Sequence, residues 1–230
     1  MKNQFFGDVN DYRKYGLLRA VQSATRLDLL VGWMLTPDDG TGDGGKLSYL
    51  SQPERYRRFD PELFDGLVTS TTPGSPRRAA SVEAASLIPG ARFFSPVVPD
   101  AREARTAWGR SLFHASKGAD LVFLDPDNGI EIGSKPLGRR HSSKYVYWNE
   151  IVSIWSGGAS LFIYQHFPRK PRDQFVAESI EKLRTHTSAV HVSALRTSHV
   201  LFLLAAQPHH AASLGSAIIT VKDRWEGQIF

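Results

Sequence analysis

Apolar residues fall along this chain in short runs, and between the runs they recur every three or four positions. Leu29-Leu30-Val31-Gly32-Trp33-Met34-Leu35, Leu121-Val122-Phe123-Leu124 and the run over 160–165 are each closed by turn-forming or polar residues, as strands buried on both faces are. The spacing of Tyr12, Tyr15, Leu17, Leu18 and Val21 predicts a helix over 8–24. Further helices are expected over 81–88, 101–116, 148–155 and 172–185, and another strand over 91–98. Residues 189–195 and 199–206 read as two strands separated by Arg196-Thr197-Ser198, close enough for a hairpin. The prolines at 53, 61, 73 and 76 make 51–78 an irregular excursion with short helices. Strands alternating with helices imply an α/β fold, a Rossmann-like three-layer sandwich whose mainly parallel sheet ends in an antiparallel C-terminal edge. No linker-like stretch divides the 230 residues, so a single domain over 1–230 is expected.

Composition narrows the partners. With 28 Lys and Arg against 23 Asp and Glu, the net charge of +5 biases the surface towards polyanions. The bias is clustered: Arg139-Arg140-His141-Ser142-Ser143-Lys144 and Arg169-Lys170-Pro171-Arg172 follow candidate strands. Arg139, Arg140, Lys144, Arg169, Lys170 and Arg172 are therefore candidate phosphate contacts, and nucleic acid is the expected partner. The absence of cysteine excludes disulfides and thiolate metal sites. No window approaches the roughly 18 apolar residues of a membrane span, so no membrane partner and a cytoplasmic location are expected.

Candidate chemistry concentrates where strands end. Asp125-Pro126-Asp127-Asn128-Gly129-Ile130-Glu131 puts three carboxylates and an amide directly after an apolar strand, where they can orient a base, activate water or hold a divalent ion. The same residue types also make a turn. Pro37 to Lys46 carries Asp38, Asp39 and Asp43 among its glycines. It lacks the Gly-Lys-Ser/Thr ending of a phosphate loop and suits hydroxyl groups or a metal better. His166, after the strand over 160–165, is placed to act as an acid or to donate to a developing anion. The remaining histidines have no paired spacing that suggests zinc. One of Trp33, Tyr145, Tyr147, Trp148 or Phe167 is a candidate to stack on a base. Near the N-terminus, Asp8 or Asn10 suits a helix cap, and Asp11 with Lys14 suits an i, i+3 surface pair.

Taken in order, these segments resemble the bacterial 23S ribosomal RNA adenine-N6 methyltransferases of the RlmJ type. Gly7-Asp8-Val9-Asn10-Asp11-Tyr12-Arg13-Lys14-Tyr15 is similar to that family's opening Gly-Asn-x-x-Asp-x-x-Lys-His. The Gly40-x-Gly42 loop and Asp125-Pro126 resemble its cofactor loop and its Asp-Pro-Pro-Tyr loop. The resemblance implies a Rossmann-like fold, use of S-adenosylmethionine, an Asp125 that bonds the amino group to be methylated, and supporting places for Asp11 and Lys14. The chain departs from the family where Asp127 and Asn128 replace the proline and the stacking tyrosine, and where Thr36 replaces the acid that leads the cofactor loop.

Carboxylates in place of those groups suit hydrolysis. The loops Pro37-Asp38-Asp39-Gly40 and His166-Phe167-Pro168-Arg169 are loosely similar to the two-motif plan of uracil-DNA glycosylases. The favoured expectation is therefore a cofactor-free DNA glycosylase, with DNA preferred to RNA as partner. In it Asp127 or Asp39 activates water, Asp125 and Asn128 position water or base, and His166 stabilises the departing base. The alternatives are an adenine-N6 methyltransferase using S-adenosylmethionine, a metal-dependent nuclease using Asp125, Asp127 and Glu131, and a non-catalytic nucleic-acid-binding module.

Overall fold

The computed structural model describes residues 1–38, 40, 44–72, 74 and 76–230. Among the described residues eight strands are present: β1 (Leu29–Gly32), β2 (Arg92–Phe94), β3 (Leu121–Leu124), β4 (Gly129–Ile130), β5 (Tyr145–Val146), β6 (Ser160–His166), β7 (His191–Arg196) and β8 (Val200–Ala206). The α-helices among them are α1 (Val9–Thr25), α2 (Pro53–Tyr56), α3 (Pro61–Ser70), α4 (Ala80–Ala84), α5 (Arg102–Ser116), α6 (Trp148–Ser156), α7 (Arg172–Thr187) and α8 (Ala211–Arg224).

Six strands form one sheet in the order β2-β1-β3-β6-β8-β7. The first four are parallel, β8 runs antiparallel to β6, and β7 runs antiparallel to β8. Alternate residues enter two cores, as the two-residue period of a strand requires. Leu29, Val31, Phe123, Phe162 and Phe202 face one side, and Leu30, Val122, Leu124, Ile163 and Leu203 face the other. Helices α1, α3 and α8 supply the first core, and α5, α6 and α7 the second. The expected three-layer α/β sandwich with an antiparallel edge is the observed architecture.

Several boundaries differ from expectation for local reasons. β2 is three residues long because Pro96 has no N–H to continue a ladder. The helix expected over 81–88 covers only Ala80–Ala84, and the chain turns at Ser86 with φ of 49°. In the 51–78 excursion, α3 is started by Asp60, whose side chain accepts from Leu63 N, followed by Pro61 at the first helical position. Helix α8, which the apolar spacing does not predict, packs against α1. The two helices meet at Gly16, where an added Cβ would lie 1.9 Å from a ring carbon of Trp225. The Trp225 ring also stacks on Phe59.

Strand order also locates the ligand crevice by topology. From β1 the chain crosses to β2 on one side and later returns to β3 on the other, so the winding reverses between β1 and β3. In open α/β sheets ligands bind beyond the carboxyl ends of strands at that reversal.

Candidate functional site

The loop that leaves β3 enters the crevice, and Asp125 N is tied back to Gly32 O of β1 at 3.0 Å. Helix α1 delivers the opposing wall. Asp8 caps α1, its Oδ1 accepting from Asn10 N and Asp11 N at 2.7 and 3.0 Å. One turn further on, Lys14 is only 3% exposed and sits between two carboxylates, 2.8 Å from Asp11 Oδ1 and 2.7 Å from Asp125 Oδ2. The other oxygen of Asp11 accepts from Tyr15 OH at 2.7 Å. The Lys14 ammonium also lies over the rings of Tyr164, Tyr15 and Trp33. These groups border a cavity of about 70 Å³ whose lining includes Asp8, Asn10, Asp11, Lys14, Asp125, Asp127, Tyr164 and His166. Two acceptors there are open among the described residues: the second oxygen of Asp125, and Asn10 Oδ1, which is buried without a hydrogen-bond partner.

Asp127 sits differently from its neighbour. Its Oδ2 accepts from Thr36 OH at 2.6 Å, and its Oδ1 faces the Met1 amino group at 2.8 Å. The Met1 amino group also donates to Asp125 O and Met34 O. Burial works to raise the Asp127 pKa, but the ammonium and the Thr36 bond outweigh it and hold the group below its ordinary value. A carboxylate so occupied is a poor base, which corrects the expectation that Asp127 activates water.

Asp125 and Asp8 are pushed the opposite way. Burial raises Asp125 against the pull of Lys14. Burial also opposes the Lys14 charge, but Asp11 and then Asp125 outweigh it and keep that pKa above its usual value. Burial, then repulsion from Asp11, raises Asp8 to about 6. A carboxyl whose folded pKa exceeds its unfolded one binds more protons when folded, so stability falls as pH rises from about 4 through 6. Asn caps helices as well as Asp does, so Asp8→Asn should stabilise the protein at neutral pH by on the order of 2 kcal/mol. Thermal unfolding of both proteins at pH 5 and pH 7.5 checks this; a variant less stable at pH 7.5 would contradict the charge cost assigned to Asp8.

Loop 125–131 is held by Gln165, which no sequence motif singles out. Gln165 on β6 accepts from Ile130 N at 2.8 Å and donates to Asn128 O at 3.2 Å. Gly129 has φ of 118°, and an added Cβ would fall 2.2 Å from the Gln165 side chain, so only glycine fits. A Gly facing an amide on another strand is the one sequence signal for this brace.

Of the residues singled out from sequence, Asp125, Asp127, His166, Asp11 and Lys14 line one cavity. Asp39 lies outside the described residues, as does most of the Gly40-x-Gly42 loop. Asp11 and Lys14 are a buried ion pair rather than a surface one. Asn128 contributes backbone bonds to Lys144 O and Gln165. Glu131 accepts from Trp148 N at 2.8 Å and so tethers the start of α6 instead of joining Asp125 and Asp127. Among the described residues no group of three His, Asp or Glu is placed to hold a metal ion. His166 keeps solvent-exposed surface, with Nε2 3.3 Å from Tyr164 OH. Its surroundings lower its pKa to about 4, through desolvation first, and solvent at its exposed edge works against that shift. Its imidazole is neutral at pH 7 and can donate one N–H, which disfavours the acid role and leaves the donor role expected from sequence untested.

None of the six basic candidates lines the cavity. Arg139, Arg140, Arg169, Lys170 and Arg172 are exposed and Lys144 is half-buried. Arg172 lies over Phe167, and Lys170 is 3.6 Å from Glu178. The stacking candidates are also engaged: Trp33 is buried against Tyr15 and Phe93, and Trp148 stacks on His186 at 3.9 Å. Ser160, His210 and Asp120 come together at the opposite end of the sheet, with Ser160 Oγ 3.0 Å from His210 Nδ1 and Asp120 3.6 Å from Nε2. Ser160 is 0% exposed and accepts from Gln207 N, so this trio ties strand starts together and cannot reach a substrate.

No helix among the described residues is long and apolar enough to cross a membrane. No family model matches the chain. No curated protein matches it either. Among solved structures, human methyltransferase-like protein 13 in complex with SAH matches 92% of this chain over 88% of its own, with 14% sequence identity and a TM-score of 0.35. That superposition is too loose to transfer a residue or an activity, and the fold class rests on strand order.

Proposed function

We propose that this chain transfers a methyl group from S-adenosylmethionine to an exocyclic amino nitrogen of a base in nucleic acid. The observation that carries the reading is Asp125: a buried carboxyl at the winding reversal, with one oxygen fixed by Lys14 and the other open beside the unpartnered Asn10 Oδ1. Open acceptors favour a ligand that brings N–H donors, because an unmet buried acceptor such as Asn10 Oδ1 costs about 1–3 kcal/mol. An exocyclic amino group brings two such donors. The cavity, at about 70 Å³, takes that amino group and its ring edge.

Charge supports the same choice. Asp8, Asp11, Asp125 and Asp127 outnumber Lys14, Lys2 and the Met1 amino group by one, so the site is acidic within a basic protein. Such a site repels phosphate and attracts a cation or a hydrogen-bond donor. S-adenosylmethionine, when bound, supplies a methyl group on a positively charged sulfur, and the acidic donor set fits that charge. Asp8 and Asn10, with the backbone that follows β1, are the residues that would hold it.

Asp125 accepts from the amino group and fixes the direction of its nitrogen lone pair. Its burial-raised pKa makes it a better proton acceptor than a solvated aspartate when the nitrogen loses its proton on methylation. Lys14 is a positioning residue that holds the carboxyl in one rotamer. Tyr164 and His166 close the wall and limit water.

Calorimetric titration with S-adenosylmethionine, followed by incubation of DNA and of RNA with that cofactor and mass analysis of the nucleosides, tests the proposal. Binding in the micromolar range and a base heavier by one methyl group are expected. Release of an unmethylated base, or no cofactor binding, would overturn it.

A further inference from the structure

A second concave surface lies between α5 and α6, away from the acidic cavity. It is an open groove of about 800 Å³, and the residues facing it carry the opposite charge. Arg102, Arg105 and Arg110 line it from α5, and Asn149 and Ser153 face them from α6. We infer that this groove binds a phosphate group of a nucleotide or polynucleotide.

Arg105 is the reason. It is 1% exposed, with Nε and Nη2 on the two oxygens of Glu150 at 2.7 and 2.8 Å and Nη2 also on Tyr145 O at 2.8 Å. Its Nη1 is buried and has no hydrogen-bond partner among the described residues. An unmet buried donor on a charged group is costly, and an oxyanion satisfies it with acceptors alone. The planar fork of Arg suits phosphate in particular.

Arg105 borders the groove from beneath its surface. Gly109, one helical turn further on, presents no side chain, and an added Cβ would stand 3.5 Å from Glu150 Oε1. Arg102 and Arg110 are exposed on the walls; Arg102 Nη2 is steadied by Leu137 O at 3.0 Å, and Arg110 makes no ion pair among the described residues. The two acids of the groove already have donors. Glu150 receives Arg105 and Tyr147 N, and Glu131 receives Trp148 N. Glu150 offsets Arg105, so the groove's excess positive charge comes from Arg102 and Arg110 against Glu131, and the exposed Arg139 and Arg140 follow Leu137 in the chain.

Binding here does not depend on methyl transfer, and it is measured without turnover. The probes are inorganic phosphate, a nucleoside monophosphate and a short single-stranded oligonucleotide, titrated against the full chain by calorimetry and fluorescence anisotropy. The variants are Gly109→Leu, which fills the groove without changing charge, and the exposed pair Arg102→Ala with Arg110→Ala. Unfolding temperatures confirm that each is folded. Both variants should weaken the oligonucleotide at least tenfold, and the arginine pair should lower the salt slope by about 1 for each phosphate it no longer neutralises. Binding of all three probes assigns the site to any phosphate group, and binding of the oligonucleotide alone assigns it to a polynucleotide backbone. Folded variants that bind as tightly as the parent chain overturn the inference.

Discussion

Replacing Lys14 with methionine should lower the unfolding free energy by about 3–5 kcal/mol, the usual cost of removing one partner from a buried ion pair. For a chain of this size that is a fall of on the order of 10 °C in unfolding temperature. The apolar stem is kept, so the loss is electrostatic. Asp11 and Asp125 would then face each other in a buried site, with Tyr15 OH on Asp11 and the charge of the Met1 amino group near Asp125 to answer them. Their folded pKa values would rise above the unfolded ones, so the variant would lose stability as pH rises through that window. The gap between variant and parent should therefore narrow as pH falls from 7.5 towards 5. Calorimetric unfolding at both pH values measures this, and a gap that ignores pH would show that Lys14 does not neutralise these carboxyls.

Asp125→Asn should leave the fold in place and reduce methyl transfer by about 10²–10⁴-fold, the range for loss of a positioned proton acceptor. The amide keeps the shape and one oxygen, so base binding should change far less than turnover. It also leaves Lys14 with Asp11 as its sole carboxylate partner, which should shift the pH dependence of activity. Single-turnover rates across pH, with base affinity measured in parallel, separate this from a structural role. Equal losses in affinity and rate would reduce Asp125 to a brace.

The layered fold was readable because parallel strands buried on both faces must be written as unbroken apolar runs, and Leu121 to Leu124 is such a run. The end of that run also pointed to the loop bearing Asp125. What surrounds Asp125 was not readable. Lys14 meets it across 111 positions, and locally the Asp11 and Lys14 spacing looks like any solvated helix pair. Asp127 resembled a free carboxylate because nothing near it in sequence announces Thr36, 91 positions earlier. α3 did leave a signal in Asp60-Pro61-Glu62, a cap followed by proline at the first helical position. α8 was quieter. Its buried face rests on Leu214, Ala217 and Val221, too small an apolar stripe to stand out. Arg105 gave no sign either, since a buried arginine and an exposed one are spelled alike.

Helix α1 carries Asp8, Asn10, Asp11 and Lys14 to the crevice, yet its seating is decided where Gly16 meets the Trp225 ring. The indole occupies the space a methyl group would need, so helix depth against the sheet is gauged by a residue remote from the reacting groups. Among descendants of this sequence the two positions should be inherited as a unit. A lineage that enlarges residue 16 must shrink residue 225 in step, or shift its whole acidic wall.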